Sequence, residues 1–234
     1  EGRLMHRFRD GQAAVAGNVD DYTFVVWALL ELYEATFETR YLSKALEYQS
    51  CLHAYFRDED NGGFYFTPSD AEELLTRPKE LYDGALPSGN SVAFLNTLRL
   101  SRMTGDVELD ERAHEIYRAF CAHADAVPTA FTHFLCGLDF ALGPASEVVI
   151  AGKAGQKDTQ ALLRTLRKSF VPNKIVVFHP DDPDQADIEL IAPYLHSFVC
   201  LNGLATAYVC RNFKSSVPTT DPETMMANLT AKEI

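Results

Sequence analysis

Apolar and polar positions follow two different rules along this 234-residue chain, and the change falls at Ser146. From Asp21 to Phe37 the run DYTFVVWALLELYEATF is apolar on nearly every side, as in a helix buried all round. Asp20 stands where the N-cap of that helix belongs. The stretch 40–56 gathers Leu42, Ala45, Leu46, Leu52 and Phe56 on one face and reads as a one-sided helix. Helicity then breaks in RDEDNGGFYFTPSD, where Asn61-Gly62 marks a tight turn ahead of a short strand at Phe64–Phe66. A second broadly apolar helix is predicted over 89–104. An amphipathic one follows over 108–126, with Ala113, Ile116, Tyr117, Phe120, Cys121 and Ala124 in register. Pro128 opens a further helix that ends near Gly143.

After Ser146 the segments EVVIAG (147–152), KIVVFHP (174–180) and ATAYVC (205–210) read as strands. A helix over 158–170 joins the first two, and another covers 187–195. A last helix begins in TTDPETMMANL, with Thr220 or Asp221 as cap, Pro222 in the first turn and Glu223 placed for a capping box. Strand–helix–strand order implies a small, partly parallel α/β unit.

The helices also repeat: LELYEATFETRYLSKA (30–45) superimposes on LRLSRMTGDVELDERA (98–113). Each copy pairs an all-round apolar helix with a one-sided one, the pattern of inner and outer helices in stacked hairpins. The fold class expected is therefore mainly α. Residues 1–143 form helical hairpins of an incomplete α/α toroid, and 144–234 form a small α/β unit. The same offset carries Asp20-Asp21-Tyr22 onto Ser88-Gly89-Asn90, which puts two polar clusters at the N-termini of inner helices, at one end of the array.

Composition narrows the partners. A net charge of −12 repels phosphates, so nucleic acid and anionic membranes are not expected partners. The five cysteines, at 51, 121, 136, 200 and 210, show no CxxC pair or zinc spacing, so no metal site is expected and the thiols read as reduced. Apolar neighbours place Cys51, Cys121 and Cys136 in the interior. With no signal peptide and no stretch of membrane-spanning length, a cytoplasmic location is expected.

The candidate chemistry lies in DDY (20–22) and ELYDGALPSGNS (80–91). Asp21 and Asp83 are candidate catalytic carboxylates, since one acid can stay protonated while another is ionised. Asp20, Tyr22, Glu80, Tyr82, Ser88 and Asn90 are candidate substrate-binding groups, a mixture of carboxylate, amide, hydroxyl and ring suited to a hydroxyl-rich ligand. Capping is the competing role for Asp20, Ser88 and Asn90. Glu80, Tyr82 and Asp83 lie too far before the helix at 89 to cap it. His133 reads as a structural histidine, with the role of base in a sugar epimerase as its alternative, and DEDNGG (58–63) lacks the terminal glutamate of a calcium loop. GKAGQKDT (152–159) matches neither GxGxxG nor the P-loop, and no cofactor is expected.

Five segments occur in order: DDYTFVVWALLELYEATFETRYL, DGALPSGNSVAFLNTLRLSRMTGD, SEVVIAG, PNKIVV and ATAYVCRNF…VPTTDPE. Together they resemble the C-terminal region of the thioredoxin-domain-containing family that includes bacterial YyaL and the spermatogenesis-associated thioredoxin-like protein of vertebrates. The resemblance implies a toroid related to six-hairpin glycosidases and N-acylglucosamine 2-epimerases, preceded by an N-terminal thioredoxin-like domain. Neither that domain nor the first toroid hairpins are found in this sequence, which reads as a piece of a longer protein. The family writes its late motif Cys-x-Asn-x-x-Cys-x-x-Pro; Cys210, Asn212 and Pro218 match, but Ser215 replaces the second thiol and removes any dithiol there. GNVDDY also replaces the more usual Gly-Phe-Leu before the acids. The expected function is a pocket that binds or acts on a sugar-like small molecule, as hydrolase or isomerase. The alternative is a non-catalytic scaffold that presents the thioredoxin-like domain. The expected partners are a sugar-like ligand, the missing N-terminal part, or a second copy.

Overall fold

The computed structural model describes residues 2–72, 75–182, 187–211 and 214–231. They form eight α-helices and six strands among the described residues, so the chain is mainly α with some β. It divides into two compact units, one of residues 1–101 and 106–139, the other of 102–105 and 140–234.

The first unit opens with a feature absent from the sequence reading, a β-hairpin of β1 (Met5–Arg9) and β2 (Gln12–Ala16). Asp10 and Gly11 both take positive φ in its turn (52° and 76°), as a two-residue hairpin demands. Helix α1 (Val19–Thr36) is capped by Asn18, two residues earlier than a cap at Asp20 would place it. Asn18 N donates to Asp21 Oδ2 at 2.7 Å, so the acid three places on closes the helix start. Phe37 ends the helix in the left-handed region at φ 59°. Tyr22, Val26, Leu30 and Tyr33 bury one face of α1, which packs on α2 (Thr39–Tyr55) with its buried Leu42, Ala45 and Leu52.

Helix α3 (Gly89–Thr104) is buried on almost every side, and α4 (Val107–Ala126) on one, through Leu109, Ala113, Ile116, Phe120 and Ala124. A 3₁₀ turn at Pro128–Ala130 precedes α5 (Thr132–Leu142). Pro128 thus opens a separate turn, because the chain must bend before the α-helix begins. Helices α3, α4 and α5 meet in an aromatic cluster, where Phe94 and Phe134 stack at 4.8 Å and Tyr117 lies 6.4 Å from each.

Between α2 and α3 the strand expected at Phe64–Phe66 reduces to a single bridge, Arg57 to Phe64. Its place is taken by Asn90, whose Oδ1 accepts from Phe64 N at 2.7 Å while its Nδ2 donates to Phe64 O at 2.9 Å. A side-chain amide here completes the ladder that a second strand would have made.

In the second unit, β3 (Ser146–Gly152) pairs in parallel with β4 (Lys174–Pro180) across α6 (Lys157–Lys168). It pairs antiparallel with β5 (Thr206–Arg211), and the short β6 (Lys214–Ser215) completes the order β4-β3-β5-β6. Leu162, Leu163 and Leu166 of α6, and Met225 and Leu229 of α8 (Pro222–Thr230), supply buried apolar side chains around the sheet. Asp221 caps α8, accepting from Thr224 N at 2.7 Å, with Pro222 at its first position. The helix expected over 187–195 is split into α7 (Asp187–Ile191) and a 3₁₀ turn at Pro193–Ser197, because Pro193 cannot continue an α-helix. Asn212 of the late motif lies outside the described residues.

All five cysteines are free, but Cys136 is exposed and Cys51 and Cys121 only half-buried. Apolar sequence neighbours therefore misplace these thiols, which sit at helix borders where the periodic apolar face ends. Among the described residues no helix is long and apolar enough to cross a membrane.

Candidate functional site

In the helical unit the starts of three helices come together. Asp20, in the first turn of α1, lies against Gly89 at the first position of α3, so close that a Cβ there would meet Asp20 Oδ1 at 2.4 Å. Gly89 is what lets the two helix ends approach. Asp83 joins α3 to α5. Its Oδ1 accepts from Ser88 N at 2.9 Å, and its Oδ2 accepts from His133 N at 2.8 Å and Phe134 N at 3.1 Å. Asp83 therefore does cap a helix. The helix is α5, fifty residues further on, and only the fold brings it within reach.

The two candidate catalytic carboxylates are both engaged. Asp83 is buried with three backbone donors, and Asp21 serves the start of α1 and accepts from His6 Nδ1 at 2.9 Å. Ser88 caps α3, its Oγ accepting from Ser91 N at 3.2 Å. Asn90 is fully buried, donating also to Glu80 O at 2.8 Å. Tyr22 is fully buried, and its hydroxyl accepts from Leu4 N at 3.1 Å. Tyr82 stands 69% exposed beside Gly84. Glu80 is exposed, yet its charge acts on Asp20.

Asp20 differs from its neighbours. Burial pushes its carboxyl up, the charges of Glu80 and Asp21 push the same way, and the Gly89 N–H opposes them. Its Oδ1 is buried without a hydrogen-bond partner. A carboxyl in that state keeps capacity for an outside donor or acceptor.

From Asp20 a stripe continues down α1 at i+4, i+7 and i+11 through Phe24, Trp27 and Glu31, none of them in the buried set of that helix. Phe24 and Trp27 stack at 6.2 Å, and Trp27 lies 5.0 Å from the His133 ring of α5. His133 Nε2 is buried and lacks a partner, and burial holds the imidazole below its ordinary pKa against the pull of Asp83. Arg99 of α3, 8% exposed, donates to Glu31 Oε1 at 2.7 Å and lies 3.6 Å from Glu34. Sequence reasoning passed over Trp27, Glu31 and Arg99. The signal was the stripe of polar and aromatic residues on the second face of a helix that looked apolar all round.

No protein-family model matches the chain. It is similar to spermatogenesis-associated protein 20 of Homo sapiens, 35% identical over 230 residues, which is 94% of this chain and 29% of the human protein. The proteins of the same name from Rattus norvegicus and Mus musculus are 33% and 34% identical over 207 residues, 88% of this chain and 26% of theirs. The chain thus spans less than a third of the length of these relatives.

Proposed function

We propose, from the premise that this chain is homologous to part of spermatogenesis-associated protein 20, that its helical unit is a segment of an α/α toroid whose inner helices hold a small polyhydroxylated ligand. The toroid reading is supported by the meeting of the starts of α1, α3 and α5, and by the all-round burial of α3 beside one-sided α2 and α4. The observation that carries the ligand reading is the pair of buried, unpartnered polar atoms, Asp20 Oδ1 and His133 Nε2, flanking the Trp27 platform on α1 and α5. Sugars are held by this combination, a ring face against an aromatic side chain and hydroxyls bonded to carboxylate and imidazole.

Catalysis by Asp21 and Asp83 is disfavoured, because Asp83 spends both oxygens on backbone donors and Asp21 is held by Asn18 N and His6. Should the longer protein act on its ligand, Asp20, with its raised pKa, and the neutral His133 are the groups with acid–base capacity to spare. The exposed apolar positions of the helical unit are covered by the remainder of a longer protein or by a second copy.

The test is a panel of free sugars and sugar phosphates, scored by thermal shift and by turnover. A ligand that stabilises the parent is expected to lose its effect in Trp27→Ala and Asp20→Asn. Asp83→Asn is expected to lower the melting temperature without changing ligand preference. No thermal shift with any member of the panel would leave the helical unit a scaffold.

A further inference from the structure

The indole of Trp27 is held at its polar tip as well as by its ring neighbours. Its Nε1 donates to Glu31 Oε1 at 3.2 Å, one turn further along α1. The same oxygen accepts from Arg99 Nη1 of α3 at 2.7 Å, and Arg99 Nη2 lies 3.6 Å from Glu34 Oε1. Ring, carboxylate and guanidinium form one connected line from α1 into α3. The backbone under the ring is tied from the same helix. Asn96, buried one turn before Arg99, donates to Thr23 O at 2.8 Å, the carbonyl that also takes the helical bond of Trp27 N.

Stability explains this line poorly. Arg99 is buried, whereas Glu31 keeps 58% of its side chain in water. A buried guanidinium loses its hydration, and a pair with so exposed a carboxylate recovers little of that loss. Orientation explains it better. The second torsion of a tryptophan side chain is soft and two-fold, so a half-buried indole turns over unless its N–H is engaged. Glu31 alone is a mobile anchor. The planar fork of Arg99, seated in the core, makes it a stationary one. Phe24 then lies 6.2 Å from the indole at 26°, and His133 5.0 Å from it at 38°.

Engaging Nε1 also has a chemical consequence. Trp27 offers a ligand ring surface and no donor, so polar recognition falls to Asp20 Oδ1 and His133 Nε2, the buried atoms without partners.

We propose that Arg99 is a positioning residue of the helical site: through Glu31 it sets the plane in which Trp27 receives a ligand. This rests on the ligand reading given above for the use of the ring, but not for how the ring is held.

Trp27 is the only tryptophan of the chain, so the decay of its fluorescence anisotropy reads this ring alone, in the full chain and without ligand. The parent is expected to decay with the tumbling of the whole molecule. Glu31→Ala and Arg99→Met should each add a nanosecond component from a freed indole. Glu31→Gln, whose amide oxygen still accepts from both nitrogens, should restore the parent's decay, which a merely structural loss of charge would not do. The double variant should gain no more freedom than either single one, because the groups act in series. Should Arg99→Met not fold, Arg99→Lys takes its place, with a smaller component of the same kind. A ring that stays fixed in Glu31→Ala or in the Arg99 variant, or additive release in the double variant, would overturn the proposal. Any sugar that the parent binds is expected to bind Arg99→Met about fivefold more weakly, the cost of ordering one loosened side chain. Equal affinity would overturn the proposal as well. A panel with no binder would sink the ligand reading instead, and the anisotropy would still decide whether Arg99 sets the ring.

Discussion

His53 sits in the helical unit where a second proton has nowhere to go. Its Nε2 lies 3.1 Å from Gln49 Nε2, whose amide also donates to Thr97 Oγ1 at 2.9 Å, so the imidazole nitrogen is the acceptor. Burial, and then the charges of Arg112 and Arg57, push its pKa down from 6.5 to about 3. The unfolded chain therefore takes up a proton that the folded chain refuses. Stability is complete above pH 6.5 and falls as pH drops towards 3, by about 2 kcal/mol at pH 5. Urea denaturation at pH 7 and pH 5 measures it, and His53→Gln should flatten the difference. This residue gave no sign in the sequence, because what sets its charge comes from three other segments. Asp83 shows the same limit. Its carboxylate and its position were legible, but its partners at His133 and Phe134 were not, since fifty residues separate them.

Helices carry the fold where the chain gives periodic signals, and glycine marks where two of them touch. Gly137 lies inside α5, where an alanine would gain about 1 kcal/mol of helix propensity. A Cβ at that point would meet Phe94 Cδ1 of α3 at 2.6 Å, and Phe94 is held by its stack on Phe134. Overpacking costs about 1–3 kcal/mol and outweighs the propensity. Gly137→Ala is thus expected to lower the melting temperature, whereas Gly155→Ala, with nothing within 4 Å of the added carbon, should leave it in place. A melting temperature that rises in Gly137→Ala would show that α3 and α5 are less tightly packed. Element type was readable for α1 to α6 and for β3, β4 and β5, because apolar period and breakers agreed there. The hairpin β1–β2 was missed although Asp10-Gly11 announces its turn, since its strands are exposed on both faces and show no alternation. The strand at Phe64 was overcalled because an aromatic run after Asn-Gly looks the same whether a strand or the Asn90 amide completes it.

At the scale of the whole molecule, charge and apolar exposure oppose each other. A net charge of −12 drives copies apart, while Phe8 at 77%, Leu86 at 72% and Phe170 at 91% exposure favour contact. Raising salt screens the first and leaves the second, so the sedimentation coefficient is expected to increase with salt as well as with concentration. A single monomeric species under all these conditions would remove self-association from the account. The division into units carries a different consequence. Residues 102–105 belong to the second unit, although they are the last turn of α3 and the residue after it. They supply Arg102, 3.0 Å from Glu147, and Met103 O, which accepts from the Tyr194 hydroxyl at 3.2 Å. Burial raises the Glu147 carboxyl, and Arg102 is the cation that opposes the rise. The second unit is consequently not a detachable module. Cutting the gene at residue 140 would strip Glu147 of its counter-charge and Tyr194 of its acceptor, so recombination can shuffle this unit only together with a turn of helix encoded far upstream of it.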